Sequence, residues 1–133
     1  MNNHPSLPRL LAGAAKVVIT DEKAGLANDP LYAKALVLKS GDMTAVLATV
    51  DAVAIAEIGS IQSCYLETVR SRLADEPGID PARVIVNASH CHGRVCTDVA
   101  ERTVQAVREA HEALVPVTVG VGTGHEDRIS ENR

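Results

Sequence analysis

The chain has no tryptophan and no phenylalanine, and its only tyrosines are Tyr32 and Tyr65. A surface that inserts into lipid is normally built with more such rings, so membrane insertion is not expected. Lys and Arg number 13 against 17 Asp and Glu, a formal net charge of −4 with no run of like charge. Nucleic-acid binding calls for the opposite balance, and no nucleic-acid partner is expected. Long apolar runs are missing too. No segment approaches the roughly 20 consecutive apolar residues of a transmembrane helix, and Met1 to Lys16 holds no apolar stretch suited to a signal peptide. A cytoplasmic location follows for the chain as written, and secretion would follow from a longer start. Cysteine is sparse: Cys64, Cys91 and Cys96 are an odd set that cannot all pair within one chain, so reduced thiols are expected. Neither HExxH nor a paired CxxC is present, which removes the commonest ready-made zinc motifs.

What is present is a run of Ala, Val, Leu and Ile in segments of strand and helix length. With 133 residues one domain, or part of one, is expected, large enough to bury a core without disulfides. Ala14–Thr20, Ala33–Lys39 and Thr44–Val50 read as strands, the latter two joined by the hairpin turn Ser40-Gly41-Asp42-Met43. From Glu57 to Ala74 the spacing becomes helical, with Ile58, Ile61, Tyr65, Val69 and Leu73 on one stripe. Arg83–Ser89 returns to strand, Asp98–Leu114 is a second helix, and Val115–Val121 is a last strand. Asp98 with Glu101 resembles a capping box, ahead of a stripe of Ala100, Val104, Val107, His111 and Leu114. That stripe makes His111 a core or rim histidine, while His4 and His125 fall in polar ends. The predicted fold is α/β: a mixed, largely parallel sheet with a strand-helix-strand crossover and flanking helices, forming a partial domain.

The stretch Val86-Asn87-Ala88-Ser89-His90-Cys91-His92-Gly93 carries the chemistry. Side chains two apart on an extended backbone point the same way, so His90 and His92 can aim two imidazoles at one point. Imidazole is the commonest zinc ligand, and a second histidine beside a ligand often orients water or substrate. Two histidines sharing one surface loop without a common purpose is the plainer alternative. Cys91 alternates away from them. A right-handed crossover between Thr44–Val50 and Arg83–Ser89 would pair those strands in parallel. Asp51 and His90 would then stand at the carboxyl ends of adjacent parallel strands, where open α/β sheets gather ligands. Asp51 can orient a metal-bound histidine or fix the loop, or it can simply cap the following turn.

In order, Ala12-Gly13-Ala14-Ala15-Lys16-Val17-Val18-Ile19-Thr20, Asp29 to Leu38, Ala45 to Asp51, Asn87 to His92, and the helix ending Arg108-Glu109-Ala110-His111-Glu112 followed by Glu131-Asn132-Arg133 resemble the start of the neutral/alkaline non-lysosomal ceramidase family. The resemblance covers nearly the whole chain through several short motifs in sequence. It implies a zinc-dependent amidase acting on the N-acyl bond of ceramide or a related lipid or small amide. It implies that His90, matching the first histidine of the family's His-Thr-His-Ser-Gly motif, is a zinc (Zn2+) ligand. His92, matching the second, would lie close to the zinc-bound water and substrate. Arg133, the arginine of the Asn-Arg motif, would line the active site.

The departures are as specific as the matches. Cys91 stands for the family's threonine, and Gly93-Arg94-Val95 replaces its Ser-Gly-Pro; the family's long loop before the second helix is missing, since Thr97 and Asp98 begin that helix almost at once. These changes allow a branch acting on a different, less lipophilic amide. The family's remaining zinc ligands, a further His, a Glu and a Tyr, would lie beyond Arg133. The chain is therefore expected to be one incomplete N-terminal segment (1–133), inactive alone, completed by a downstream chain or self-associating through exposed apolar strand edges. The competing readings are a non-catalytic α/β domain binding a ligand, metal or partner, and a purely structural product with a vestigial histidine pair.

Overall fold

A computed structural model describes residues 9–25 and 28–128. Five strands form one sheet in the order β4-β3-β2-β1-β5: β1 (Leu10–Val18), β2 (Tyr32–Ser40), β3 (Met43–Val50), β4 (Val84–Ala88) and β5 (Val115–Pro116). Two helices, α1 (Tyr65–Asp75) and α2 (Val99–Glu112), complete it. β2 and β3 make the expected hairpin, closing from Ser40 paired with Met43 across the Gly41-Asp42 turn. The crossover is also as expected: β3 leads through α1 to β4, and the two strands pair in parallel from Val46–Val84 to Val50–Ala88.

The sheet is mixed, as the pattern implied, but its parallel share is small. β1–β2, β2–β3 and β1–β5 are all antiparallel. The sequence could not tell a buried parallel strand from an antiparallel one, because every strand is apolar on both of its sides. The first helix begins at Tyr65 rather than Glu57. Residues 51–64 are loop, with Glu57 at φ 64 and Gly59 at φ 89 in the left-handed region, so Ile58 is 65% exposed while Ile61 drops into the core. The last strand stops at Pro116. Asp98 does sit at the start of α2, but its carboxylate caps no backbone N–H and instead accepts from Arg102 Nε at 2.9 Å, while Glu101 pairs with Arg72. His111 is half-buried at the rim.

Side-chain alternation puts Ala33, Ala35, Val37, Val46, Val50 and Val84 on one face of the sheet, all buried. α2 lies across β1 and β2 with α1 beside it, and Tyr65, Val69, Leu73, Val104 and Val107 join the same core. Each buried Val or Leu among them contributes about 1.5–3 kcal/mol relative to exposure. The approach is close enough that a Cβ on Gly13 would fall onto the carbonyl oxygen of Ala110, so α2 can seat on β1 only over glycine. Within the core, Tyr65 Oη donates to Thr103 Oγ at 2.8 Å and Thr103 Oγ donates to the Val99 carbonyl. Burial raises the Tyr65 phenol to about 12 despite its bond to Thr103 and keeps the ring neutral. The opposite face has no layer over it among the described residues: Leu36, Leu47 and Ile85 lie in one cross-strand row with Ala14 and are 38%, 43% and 61% exposed.

Candidate functional site

The carboxyl ends of β3 and β4 carry the predicted residues side by side. Asp51 follows β3, and Ser89 and His90 follow β4, with Ser89 N donating to the Val50 carbonyl at 3.0 Å. The Asp51 carboxylate accepts from Tyr32 N at 3.0 Å, Lys34 Nζ at 3.2 Å and Ser89 Oγ at 3.0 Å. Partial burial alone would raise its pKa, but the bonds from Lys34, Tyr32 and Ser89 outweigh that and hold it below the usual carboxylate range. Its acceptor capacity is spent on strand ends and on the residue before His90, so Asp51 fixes the start of the loop.

His90 and His92 are brought together, by a route the strand pattern does not describe. β4 ends at Ala88, and His90 has left-handed backbone geometry at φ 64, as does Glu57 in the preceding loop, a conformation uncommon for residues with a side chain. The two rings meet edge to face with centroids 5.1 Å apart. His90 Nδ1 donates to the Val53 carbonyl at 2.9 Å. That bond leaves the Nε2 lone pair free, the arrangement by which a metal-binding histidine is normally oriented. Nothing in the sequence marks Val53, because its part is played by a backbone carbonyl. His92 lines a recess of about 330 Å³ with Val53, Gly59, Ser60 and Arg94.

The loop beyond the histidines is clamped to the core. Thr20 and Val95 form an isolated antiparallel bridge, flanked by Asp21 N to the Arg94 carbonyl at 3.0 Å and Cys96 N to the Ile19 carbonyl at 2.8 Å. Gly93 passes directly over Leu31, whose Cδ1 would stand 2.6 Å from a Cβ there. Cys91 packs against the core, as alternation suggested. Burial, reinforced by the Asp98 carboxylate, pushes the Cys96 thiol up to about 11, which leaves it protonated and a poor ligand or nucleophile at neutral pH. Arg133, the remaining predicted site residue, lies outside the described residues.

As a metal centre the set is incomplete. Among the described residues no group of three or more His, Cys, Asp or Glu side chains could hold an ion together, whereas a catalytic zinc takes three protein ligands. The residues present offer one well-oriented imidazole and a neighbour, and no chemical step can be routed through zinc on them alone. No helix among the described residues is long and apolar enough to cross a membrane.

No protein-family model matches the chain, and no curated protein matches it closely. Solved structures do. A ceramidase complexed with C2 superposes with a TM-score of 0.67 at 19% identity, covering 84% of this chain and 22% of its own. The neutral ceramidase from Pseudomonas aeruginosa gives a TM-score of 0.66, again at 19% identity with 84% and 22% covered. The protein is thus an α/β chain of the mixed-sheet class. More particularly, it has the fold of part of a neutral ceramidase, spanning about a fifth of the length of the ceramidases it matches.

Proposed function

We propose that this chain is the N-terminal segment of a ceramidase-like, zinc-dependent amidohydrolase, supplying His90 as one zinc ligand and His92 as a substrate-facing group. The observation that carries the reading is the tethered His90 ring, fixed through Nδ1 at the carboxyl end of a parallel strand in a fold shared with neutral ceramidases. Zinc held there would polarise an amide carbonyl and acidify its bound water. Arg133 would add positive charge to the same site, as in the Asn-Arg motif it matches. The substrate would be the N-acyl amide of ceramide or a related amide. Completion of the zinc shell falls to chain beyond these residues, docked over the open apolar face of the sheet; without it, that face favours self-association.

The test is zinc uptake at neutral pH by the purified chain, His90→Ala and His92→Ala. One or two imidazoles bind weakly, so the chain should take up zinc in the micromolar range or weaker, with uptake lost in His90→Ala and only reduced in His92→Ala. Equal uptake in all three would overturn the assignment of His90. Tight, stoichiometric uptake by the chain alone would favour a self-sufficient metal-binding domain.

A further inference from the structure

Three recesses, of about 370, 570 and 330 Å³, open around the loop that follows β4, and Arg94 is the one residue that lines all three. Its backbone is immobilised by the Asp21 N–H on its carbonyl and by the buried Val95 next to it. Its guanidinium makes no hydrogen bond or ion pair among the described residues. The other described arginines are engaged: Arg70 with the Val84 carbonyl, and Arg72, Arg83, Arg102, Arg108 and Arg128 with carboxylates. Arg9 alone shares the freedom of Arg94, but it precedes β1 at the opposite end of the sheet, where Leu10 pairs with Ser40.

Among the described residues no acid pairs with Arg94, although Asp21, Asp29 and Glu101 line the two larger recesses with it; the 330 Å³ recess has no acid in its lining. Asp21 lines two of the recesses and accepts from Lys23 N; Glu101 lines one and is paired with Arg72 at 2.9 Å. In a chain of formal net charge −4 the general field repels anions, so an exposed, unpaired arginine at the edge of three recesses is a local reversal of sign. A guanidinium fork matches a carboxylate in two parallel hydrogen bonds, and this one shares the 330 Å³ recess with His92.

We propose that Arg94 binds an anionic group of the substrate, selecting N-acyl amides that carry a carboxylate beside the amide nitrogen over neutral lipid amides. The proposal rests on the amidohydrolase reading for the role of His92, and it concerns a position where the resemblance departs from the family's neutral Ser-Gly-Pro. A neutral headgroup in this recess would leave the charge without a partner, which costs affinity by the same physics that rewards the anion.

The experiment is an NMR titration of the full chain, in EDTA, with N-hexanoylglycine and with N-hexanoylglycinamide, repeated on Arg94→Gln and Arg94→Lys. The carboxylate ligand should bind at least tenfold tighter than the amide and shift the signals of His92, Gly93, Arg94 and Ser60. Arg94→Gln should erase the difference while leaving the rest of the spectrum in place, and Arg94→Lys should restore part of it. Equal affinity for the two ligands, no saturable shift with either, or a preference that survives Arg94→Gln would each overturn the proposal. Because zinc is excluded, the two failures are distinguishable: a negative result here leaves the His90 reading standing, whereas a failed zinc test with the carboxylate preference retained leaves Arg94 an anion-binding residue and removes only the link to amide hydrolysis.

Discussion

On one side of the sheet Val37, Val46, Val50 and Val84 are fully buried beneath two helices; on the other, Leu36, Leu47 and Ile85 sit 38%, 43% and 61% exposed. Both sides come from the same strands, whose sequences are apolar nearly throughout: LLAGAAKVV, YAKALVLKS, MTAVLATV and VIVNA. An antiparallel sheet with one face in water normally alternates apolar with polar residues, and a continuous apolar strand belongs to a sheet covered on both faces. The contrast teaches that burial and apolarity have come apart here. The helix-covered face is a finished core, whereas the open face has the composition of a core with no layer on it among the described residues. Its longest polar row is Lys16, Lys34, Thr49 and Asn87, beside Asp51 and Ser89.

The largest effect that could break this contrast is a matched pair of truncations. Leu73 is completely buried on α1, and Leu73→Ala should cost about 3 kcal/mol or more in urea unfolding, as core Leu→Ala changes do. Leu47→Ala, at a position already 43% exposed, should cost less than about 1 kcal/mol. Equal costs would mean that the open face is covered in solution, and the concentration dependence of the Leu47→Ala value would show whether a second copy covers it.

This face-to-face difference was only partly legible in the sequence. The hairpin, the β3–β4 crossover and most of α2 could be read because their apolar spacing and turn residues agree with one another. Which face is covered could not, since both faces carry the same residue types. The helical stripe of Ile58 and Ile61 predicts a start for α1 eight residues early; the left-handed backbone at Glu57 and Gly59 breaks it, and only the glycine hints at that. Val119 and Val121 continue an apolar alternation yet are 71% and 94% exposed; among the described residues the pairing with β1 covers Leu11–Pro116 and Ala12–Val115, followed by one bond from Val117 N to the Leu10 carbonyl. At the site, the spacing of His90 and His92 predicts that the two rings converge, and they do, but not through strand alternation. The rings meet through a left-handed residue and a carbonyl tether, which no side-chain pattern encodes. Self-association was expected of strand edges; the larger apolar liability is a face.

A smaller change sharpens the contrast from the open side. Leu36→Lys with Leu47→Lys places two charges in the central exposed row, where they lose little packing and oppose docking of an apolar layer. The double variant should keep the fold, within about 1 kcal/mol of the parent by urea unfolding. It should also stay monomeric in sedimentation at concentrations where the parent associates. A folded parent that remains monomeric at every concentration would show that the open face is tolerated by water and would remove the case for self-association.

The smallest expected effect tests the polar end of the open face. Asp51 is held below the usual carboxylate range in the folded chain because the Lys34, Tyr32 and Ser89 bonds outweigh the opposing effect of burial. A group whose folded pKa is depressed contributes stability that is complete above its unfolded value and lost as pH falls through the folded one. Asp51→Asn removes that contribution, so unfolding of the variant should show a shallower loss of stability than the parent as pH falls below about 4, with a modest, uniform deficit at neutral pH. Ser89 is anchored by the same carboxylate at 3.0 Å and immediately precedes His90. If Asp51 positions the loop, the variant should also weaken zinc uptake at neutral pH without abolishing it, since the Val53 tether on His90 remains. Parallel pH profiles with unchanged zinc uptake would reduce Asp51 to one more exposed partner of Lys34, and the polar row would then be no more than the solvated margin of an apolar face.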